Sequence, residues 1–262
     1  MKADLLPQKR VKRISIVVAM FNEEESLPQL IEKLTTLRSI RPADWEFDFI
    51  FVDDGSSDGT LKAVSRLRPA EWKLQVLSHG VNQGFGAALR TGLKAVTGDV
   101  AVCYDADCTY PVEDILKLVR EVLSGADVAT ANAFSSTGKI VRVPLWRRFL
   151  SNANSWLYRL VVGPGGKDIR IYSCAFRAYR AAILRDLQFQ SDGFGAASEI
   201  LGRLILAGAR VVQLDSVLTT REFGQSKMRV IKATLEHFKV LWLLARRHLE
   251  VTKQKAISAS SR

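Results

Sequence analysis

The chain has no apolar run long enough to cross a membrane. Near the C-terminus the longest, Val240-Leu-Trp-Leu-Leu-Ala245, is closed off by Lys239 and Arg246-Arg247, well short of the roughly 20 residues a spanning helix needs. No signal peptide is expected from the basic start, where Lys9, Arg10, Lys12 and Arg13 have no apolar h-region behind them and Ile14 to Ala19 has only the length of a strand. Cysteine is scarce. Cys103, Cys108 and Cys174 make neither a metal-ligand spacing nor an even-numbered disulfide set, so they read as buried thiols in a reducing compartment. These absences predict a cytoplasmic protein with no spanning segment. Acid is in deficit too, 27 Asp and Glu against 38 Lys and Arg, which leaves a net charge of +11 and a pI near 9.8. Such a balance implies an anionic partner, whether nucleic acid, phosphorylated substrates or an acidic membrane surface, and charge alone does not choose among them. No internal repeat stands out, and the one low-complexity piece, the Ser/Ala/Lys-rich tail after Val251, reads as frayed.

What is present is an alternation. At 262 residues and 47% hydrophobic the chain can bury a sizeable core in one large domain with at most a short appendage. Strand-like runs at Ile14–Ala19, Phe47–Val52, Leu74–Leu77 and Val100–Tyr104 are separated by helical patterns near Ser26–Leu37, Asp58–Leu67, Gly86–Val96 and Val112–Leu123. That order predicts βαβ units and an α/β fold with a mainly parallel sheet flanked by helices. Ligands of such sheets bind beyond the C-terminal ends of the strands. Here those ends are Asn22-Glu23, Asp53-Asp54-Gly55 and Asp105-Ala-Asp107, so three polar or acidic clusters are expected on one rim.

Side chains two apart on an extended chain point the same way, so Asp105 and Asp107 can grip one divalent cation with hard oxygen ligands and thereby hold a diphosphate. By itself such a triplet reads as a solvated turn; the neighbouring strand ends give it another meaning. Asp53 and Asp54 are placed to accept hydrogen bonds from a ligand such as the N–H edge of a nucleobase, while Ser57 or Asp58 can cap the next helix. The glycines of His79-Gly-Val-Asn82-Gln-Gly84-Phe-Gly86 lack the G-x-G-x-x-G spacing of a dinucleotide fold and suit a tight turn with close helix contact. His79 reads as non-catalytic. In the second half, Ala131–Val143 lacks periodicity and suits a mobile loop over the site. A basic amphipathic helix from Leu145 ends at Gly163-Pro-Gly-Gly166, and a last helix spans roughly Met228–Leu249. Either helix can lie on a membrane surface or pack on the sheet with one face solvated.

The motifs Val17-Val-Ala-Met-Phe21-Asn22-Glu23-Glu, Val52-Asp-Asp-Gly-Ser-Ser-Asp-Gly-Thr60, Asn82-Gln-Gly-Phe-Gly-Ala, Gly98-Asp and Asp105-Ala-Asp107 resemble those of family 2 glycosyltransferases of GT-A fold. The likeness continues through Phe176-Arg-Ala-Tyr-Arg180, Glu199-Ile-Leu and Arg221-Glu-Phe-Gly-Gln-Ser226-Lys227-Met228, and is strongest to the dolichol- or polyprenol-phosphate mannosyltransferase branch. It implies a glycosyltransferase domain over residues 14–230, between a basic extension at 1–13 and, at 231–262, an amphipathic helix with a disordered tail. It places Ala19, Phe21 and Glu23 on the nucleotide, Val52 with Asp53 or Asp54 beside its base, Ala106 in the donor site, and Asp105 and Asp107 on Mg²⁺ or Mn²⁺. Arg221 and Lys227 become a cationic clamp on phosphates, as a guanidinium fork and an ammonium can be. Glu199 takes the acidic position facing the acceptor, its other reading being a charge favoured by a helix N-terminus. The chain departs from the branch at Ala19, where Pro is usual, at Thr109, at Asn132, where an arginine is missing nearby, and over Asp168–Arg177.

The implied activity is a metal-dependent inverting transfer of a sugar from a nucleotide-sugar, of GDP-mannose or UDP-glucose type, to a polyprenol phosphate. Asp107, Glu199 and Arg221 are the catalytic candidates. A phosphate acceptor, with a second pKa of about 6, needs no obligatory base, whereas a hydroxyl acceptor does. Basic helices then hold the enzyme peripherally on the cytoplasmic face of an anionic membrane, directly or through a membrane-protein partner. The alternatives are a cytosolic family 2 transferase acting on a soluble sugar or polysaccharide and a non-enzymatic nucleotide- or nucleic-acid-binding module. Nucleic acid is disfavoured by acid at the strand tips, where an aromatic and basic surface would be needed.

Overall fold

A computed structural model of the protein describes residues 11–133, 139–140, 145–223 and 230–260. The strands are β1 (Lys12–Met20), β2 (Trp45–Asp53), β3 (Lys73–Ser78), β4 (Val100–Cys103), β5 (Val128–Asn132), β6 (Lys139–Ile140), β7 (Arg177–Arg180), β8 (Val211–Asp215) and β9 (Val217–Leu218). The helices are α1 (Leu27–Ser39), α2 (Thr60–Leu67), α3 (Phe85–Lys94), α4 (Asp114–Leu123), α5 (Leu145–Val162), α6 (Ala196–Leu206) and α7 (Val230–Ser260).

One seven-stranded sheet carries the molecule, in the order β3-β2-β1-β4-β7-β5-β8. Its pairs are parallel except those of β7, which runs antiparallel to both β4 and β5. The two-residue strands β6 and β9 pair apart from it. The expected α/β architecture is observed, with one antiparallel strand set into a mainly parallel sheet.

Both faces of the sheet are covered, and the period of two along the strands sorts side chains between them. Ile14, Ile16, Val18 and Met20 of β1, with Phe47, Phe49 and Phe51 of β2, face α1, α2 and α4. Val17, Ile50 and Val52 face α3, beyond which α5, α6 and α7 complete the second layer. Helix α1 shows why these segments are helical: Leu27, Leu30, Ile31, Leu34 and Leu37 are all buried at helical spacing, and proline sits in the first turn, where no N–H is needed. Each such side chain contributes about 1.5–3 kcal/mol by leaving water. On α3, Gly92 is required by close approach, since a Cβ there would lie 2.4 Å from Val17 Cγ1.

One expectation needs correction. The tail after Val251 is helical to Ser260 rather than frayed. It contains no Gly or Pro, and Lys253, Gln254, Lys255 and Ala256 propagate a helix already nucleated upstream. The glycine reading at Gly84 and Gly86 matches the structure: a Cβ at either would lie within 2.3 Å of a backbone oxygen of Asp192 or Ser191, and the Asp192 carbonyl accepts the Gly86 N–H at 2.7 Å at the start of α3. The proposed mobile loop falls mostly outside the described residues.

Candidate active site

Strands β2, β1 and β4 are neighbours whose registers align Met20 with Asp53 and Val17 with Cys103, so their exits fall on one rim. Among the described residues only Asn22 (φ 54°) and Cys108 (φ 52°) are non-glycine residues in the left-handed region, and both lie in the turns that leave β1 and β4. Strained backbone of this kind gathers where a site is held in place. Asn22 clips two exits together: its N–H donates to Ser56 Oγ at 2.9 Å and its Oδ1 accepts the Ser57 N–H at 2.8 Å. Asp58 accepts the Thr60 N–H at 3.0 Å, but the N-cap of α2 is Gly59 and carries no side-chain cap, so neither Ser57 nor Asp58 takes the capping position expected from the sequence. Thr60 Oγ1 in turn accepts the Glu23 N–H at 2.9 Å. Ser26 Oγ donates to Glu23 Oε2 at 2.7 Å, which orients the buried Glu23 carboxylate.

Glu23 and Asp107 meet at Arg221. Its Nη2 donates to Asp107 Oδ2 at 3.0 Å and to Glu23 Oε1 at 3.3 Å, and its Nε donates to Asp107 Oδ2 at 3.3 Å. Burial opposes the charge on Arg221, yet Asp107 and Glu23 outweigh it and raise its pKa. Ala106 turns into the core beneath. Burial, then the charge of Asp107, pushes Asp105 up to about 7, with Arg221 pulling it down and Glu23 adding to the rise. An additional cation would relieve that repulsion, and the donor set is the hard-oxygen kind suited to Mg²⁺ or Mn²⁺. Among the described residues no three His, Cys, Asp or Glu side chains are grouped to hold a metal by themselves. Asp105 and Asp107 would supply two oxygen ligands to such a cation, and the rest of its coordination would have to come from outside these side chains.

The other acidic exit has a different use. Asp54 is buried, and its Oδ1 takes His79 Nδ1 at 2.7 Å and the Gln83 N–H at 2.9 Å, while its Oδ2 takes Asn82 Nδ2 and the Gly84 N–H, each at 2.8 Å. A carboxylate has about four acceptor positions, and all of them are occupied, so Asp54 ties down the 79–84 turn instead of facing a base. His79 is fixed at its far side by Thr91 Oγ1, 2.9 Å from Nε2. Asp53, also buried, accepts the Ser56 N–H at 3.2 Å and the Ser78 hydroxyl at 3.1 Å, which leaves acceptor capacity. Val52 is wholly buried under α3 and offers no side chain to a nucleotide, whereas Ala19 and Phe21 are partly exposed at the rim.

Glu199 likewise departs from expectation. It lies in the first turn of α6, fully buried. Its oxygens accept the Gln190 N–H at 3.0 and 3.1 Å, the Ser191 N–H at 2.8 Å and Arg203 Nε at 2.7 Å. A carboxylate so engaged is a tie for the 190–191 segment and not a base awaiting an acceptor proton. Arg177, from the Phe176-Arg motif, is wholly buried and donates to Thr130 Oγ1, to the Ala197 carbonyl at 2.5 Å and to the Tyr172 carbonyl at 2.6 Å. It organises the divergent 168–177 stretch from inside. Lys227 lies outside the described residues. Sequence reasoning missed Ser26, Thr60 and Thr219; the last bonds the Thr109 carbonyl through both its N–H and its hydroxyl at 3.0 Å. Only the spacing of Glu23 and Ser26, one helical turn apart, hinted at any of them.

Comparison with known proteins bears on this arrangement. The profile of the family described as "Glycosyl transferase family 2" matches residues 15–188. An undecaprenyl-phosphate 4-deoxy-4-formamido-L-arabinose transferase of Proteus mirabilis is 30% identical over 226 residues, which cover 86% of this chain and 65% of that protein. The chain thus spans somewhat under two thirds of the length of that relative. Glucosyl-3-phosphoglycerate synthase of Mycobacterium tuberculosis, solved with Mn²⁺, UDP and glucosyl-3-phosphoglycerate, superposes with a TM-score of 0.65 at 21% identity, covering 90% of this chain and 80% of its own. The same enzyme solved with Mn²⁺ and UDP-glucose gives the same score and identity, covering 90% and 79%. At that identity the likeness is one of fold, and the fold is GT-A.

Proposed function

The chain belongs to glycosyl transferase family 2, and from that membership we propose that it transfers a sugar from a nucleotide-sugar to a polyprenol phosphate with inversion at the anomeric carbon. The observation that carries the donor half is the meeting of Glu23, Asp105, Asp107 and Arg221 at the ends of β1 and β4. Asp105 and Asp107 would hold Mg²⁺ or Mn²⁺, which would neutralise the charge that grows on the diphosphate as its bond to the sugar breaks. Arg221, with Lys227, pairs with phosphate oxygens. Asp53 and the backbone at Ala19 and Phe21 flank the nucleoside. The acceptor oxygen forms the new bond to the anomeric carbon as the nucleoside diphosphate departs from the opposite face.

Support for a phosphate acceptor comes from the occupied carboxylate of Glu199. With no free base there, an acceptor already ionised at neutral pH is favoured over a hydroxyl. The Proteus relative, by its name, acts on undecaprenyl phosphate. Peripheral attachment to an anionic membrane is part of the same reading. No described helix is long and apolar enough to cross a bilayer, yet α7 exposes Leu235, Phe238, Trp242 and Leu249 on one face and α5 exposes Trp156 and Leu160. Arg246 stands over the Trp242 ring at 6.0 Å. Exposed aromatics beside basic residues suit an anionic interface.

The test is a panel of nucleotide-sugars with Mn²⁺ or Mg²⁺, read by thermal shift, with Asp107→Ala as control, followed by transfer to a short-chain polyprenyl phosphate. Metal-dependent stabilisation by one donor, lost in the variant, together with label in the lipid product is expected. Equal stabilisation of both proteins would remove the metal-diphosphate assignment. Transfer only to water-soluble acceptors, with no binding to anionic vesicles, would move the enzyme to the soluble alternative.

A further inference from the structure

Beside the donor site, the segment 219–222 is strapped across the β4 exit. Thr219 bonds the Thr109 carbonyl twice at 3.0 Å. Arg221 reaches Asp107 and Glu23 at 3.0 and 3.3 Å. Glu222 accepts a hydrogen bond from Gln29 of α1. The guanidinium therefore lies against one of the two carboxylates expected to hold metal, as the counter-ion of Asp107 and Glu23. Only 20% of the Arg221 side chain is exposed, against 18% for Asp107 and 8% for Glu23, so water screens this group only partly.

We infer that Arg221 is a resident cation of the ligand-free site, and that a metal-bound nucleotide must exchange it off Asp107, after which the same guanidinium pairs with the diphosphate. The inference rests on the metal-diphosphate reading of Asp105 and Asp107 and adds an order of events to it. A group that competes with the metal but cooperates with the nucleotide makes the two ligands interdependent: metal alone binds weakly because it must displace Arg221, and the diphosphate restores to Arg221 an anionic partner. The strap is held by neutral contacts as well as by charge, so loosening it without changing the charge of the site should also favour metal.

The experiment measures Mn²⁺ affinity by electron paramagnetic resonance of free Mn²⁺, without and with UDP or GDP, in the wild type, Arg221→Ala and Gln29→Ala. Arg221→Ala is expected to bind Mn²⁺ alone about tenfold more tightly and the Mn²⁺–nucleotide pair about tenfold more weakly, on the scale of one partly desolvated charge contact. Gln29→Ala, which alters no charge, should bind Mn²⁺ alone about two- to threefold more tightly and thereby separates displacement from simple loss of repulsion. Mn²⁺ alone should also speed amide exchange at Thr219 and tryptic cleavage after Arg221 in the wild type, and nucleotide should reverse both. Unchanged or weaker Mn²⁺ binding in Arg221→Ala, in a wild type that binds Mn²⁺–nucleotide, overturns the inference and leaves the donor reading standing. Tightening in Arg221→Ala with none in Gln29→Ala and no change in exchange overturns the strap and reduces Arg221 to a fixed charge. No nucleotide binding to the wild type at any Mn²⁺ concentration overturns both.

Discussion

Asp54 and Asp107 stand beyond the ends of β2 and β4, on either side of β1 in the same sheet, both at strand exits and both read from the sequence as ligand-facing, yet the fold gives them opposite occupations. Asp54 has every acceptor position filled by its own chain, two of the four by backbone N–H groups. Asp107 is held by one backbone N–H at 3.3 Å and by the side chain of Arg221. Backbone partners cannot leave without unfolding a turn, whereas a guanidinium can swing to another anion. On the proposed function, what would separate a structural carboxylate from a working one here is the exchangeability of its partners, not its position on the rim. Glu199 falls with Asp54, and Glu23, joined to Ser26 and Arg221, falls with Asp107.

The sharpest way to break this contrast is Asp107→Ala. Transfer is expected to fall about 10³-fold in kcat/KM, the scale of losing a principal electrostatic stabiliser of the leaving group, with little change in melting temperature; a large drop in stability would put Asp107 in the structural class. Asp54→Ala is expected to do the reverse. It strands His79, Asn82 and two N–H groups and should cost about 3–5 kcal/mol in urea unfolding, while the folded fraction keeps kcat within a few-fold. Glu199→Gln sets an amide against backbone donors and should cost about 2–3 kcal/mol while leaving the shape of the pH–kcat profile unchanged; a profile that loses its basic limb would restore Glu199 as a base.

The smallest effect concerns the second layer of helices, where burial lowers His237 to about 4 and its Nδ1 lies 2.9 Å from the Tyr158 hydroxyl. Its folded pKa lies below the ordinary value of about 6.5. Its contribution to stability is therefore present above about pH 6.5 and is lost as pH falls towards 4, by about 1–2 kcal/mol after allowance for partial exposure. Unfolding free energies at pH 7.5 and 4.5 should show this step in the wild type and a smaller one in His237→Asn. Equal steps would place the titration elsewhere.

The sheet and its flanking helices were legible because their signals are periodic and local. Alternating residues in β1, the apolar run Phe49-Ile-Phe-Val in β2 and the helical spacing in α1 each follow from neighbours a few residues apart. The rim of three acidic exits was legible for the same reason, since parallel strands in βαβ units deliver their C-terminal ends to one edge. The position of β7 between β4 and β5 was not, because its partners lie about 50 to 80 residues away in sequence and a four-residue strand carries little pattern of its own.

By itself, then, the sequence determined an α/β chain of glycosyltransferase family 2 with its polar groups at the strand tips, since hydrophobic period and motif spacing are written in contiguous residues. Tertiary structure alone decided which of those groups are available. Asp54 and Glu199 are taken up by N–H groups of the 83–84 and 190–191 segments, and Arg221 is brought to Asp107 from 114 residues away. A hydrogen bond depends on distance in space, and no local pattern encodes which distant partner will arrive to fill a carboxylate.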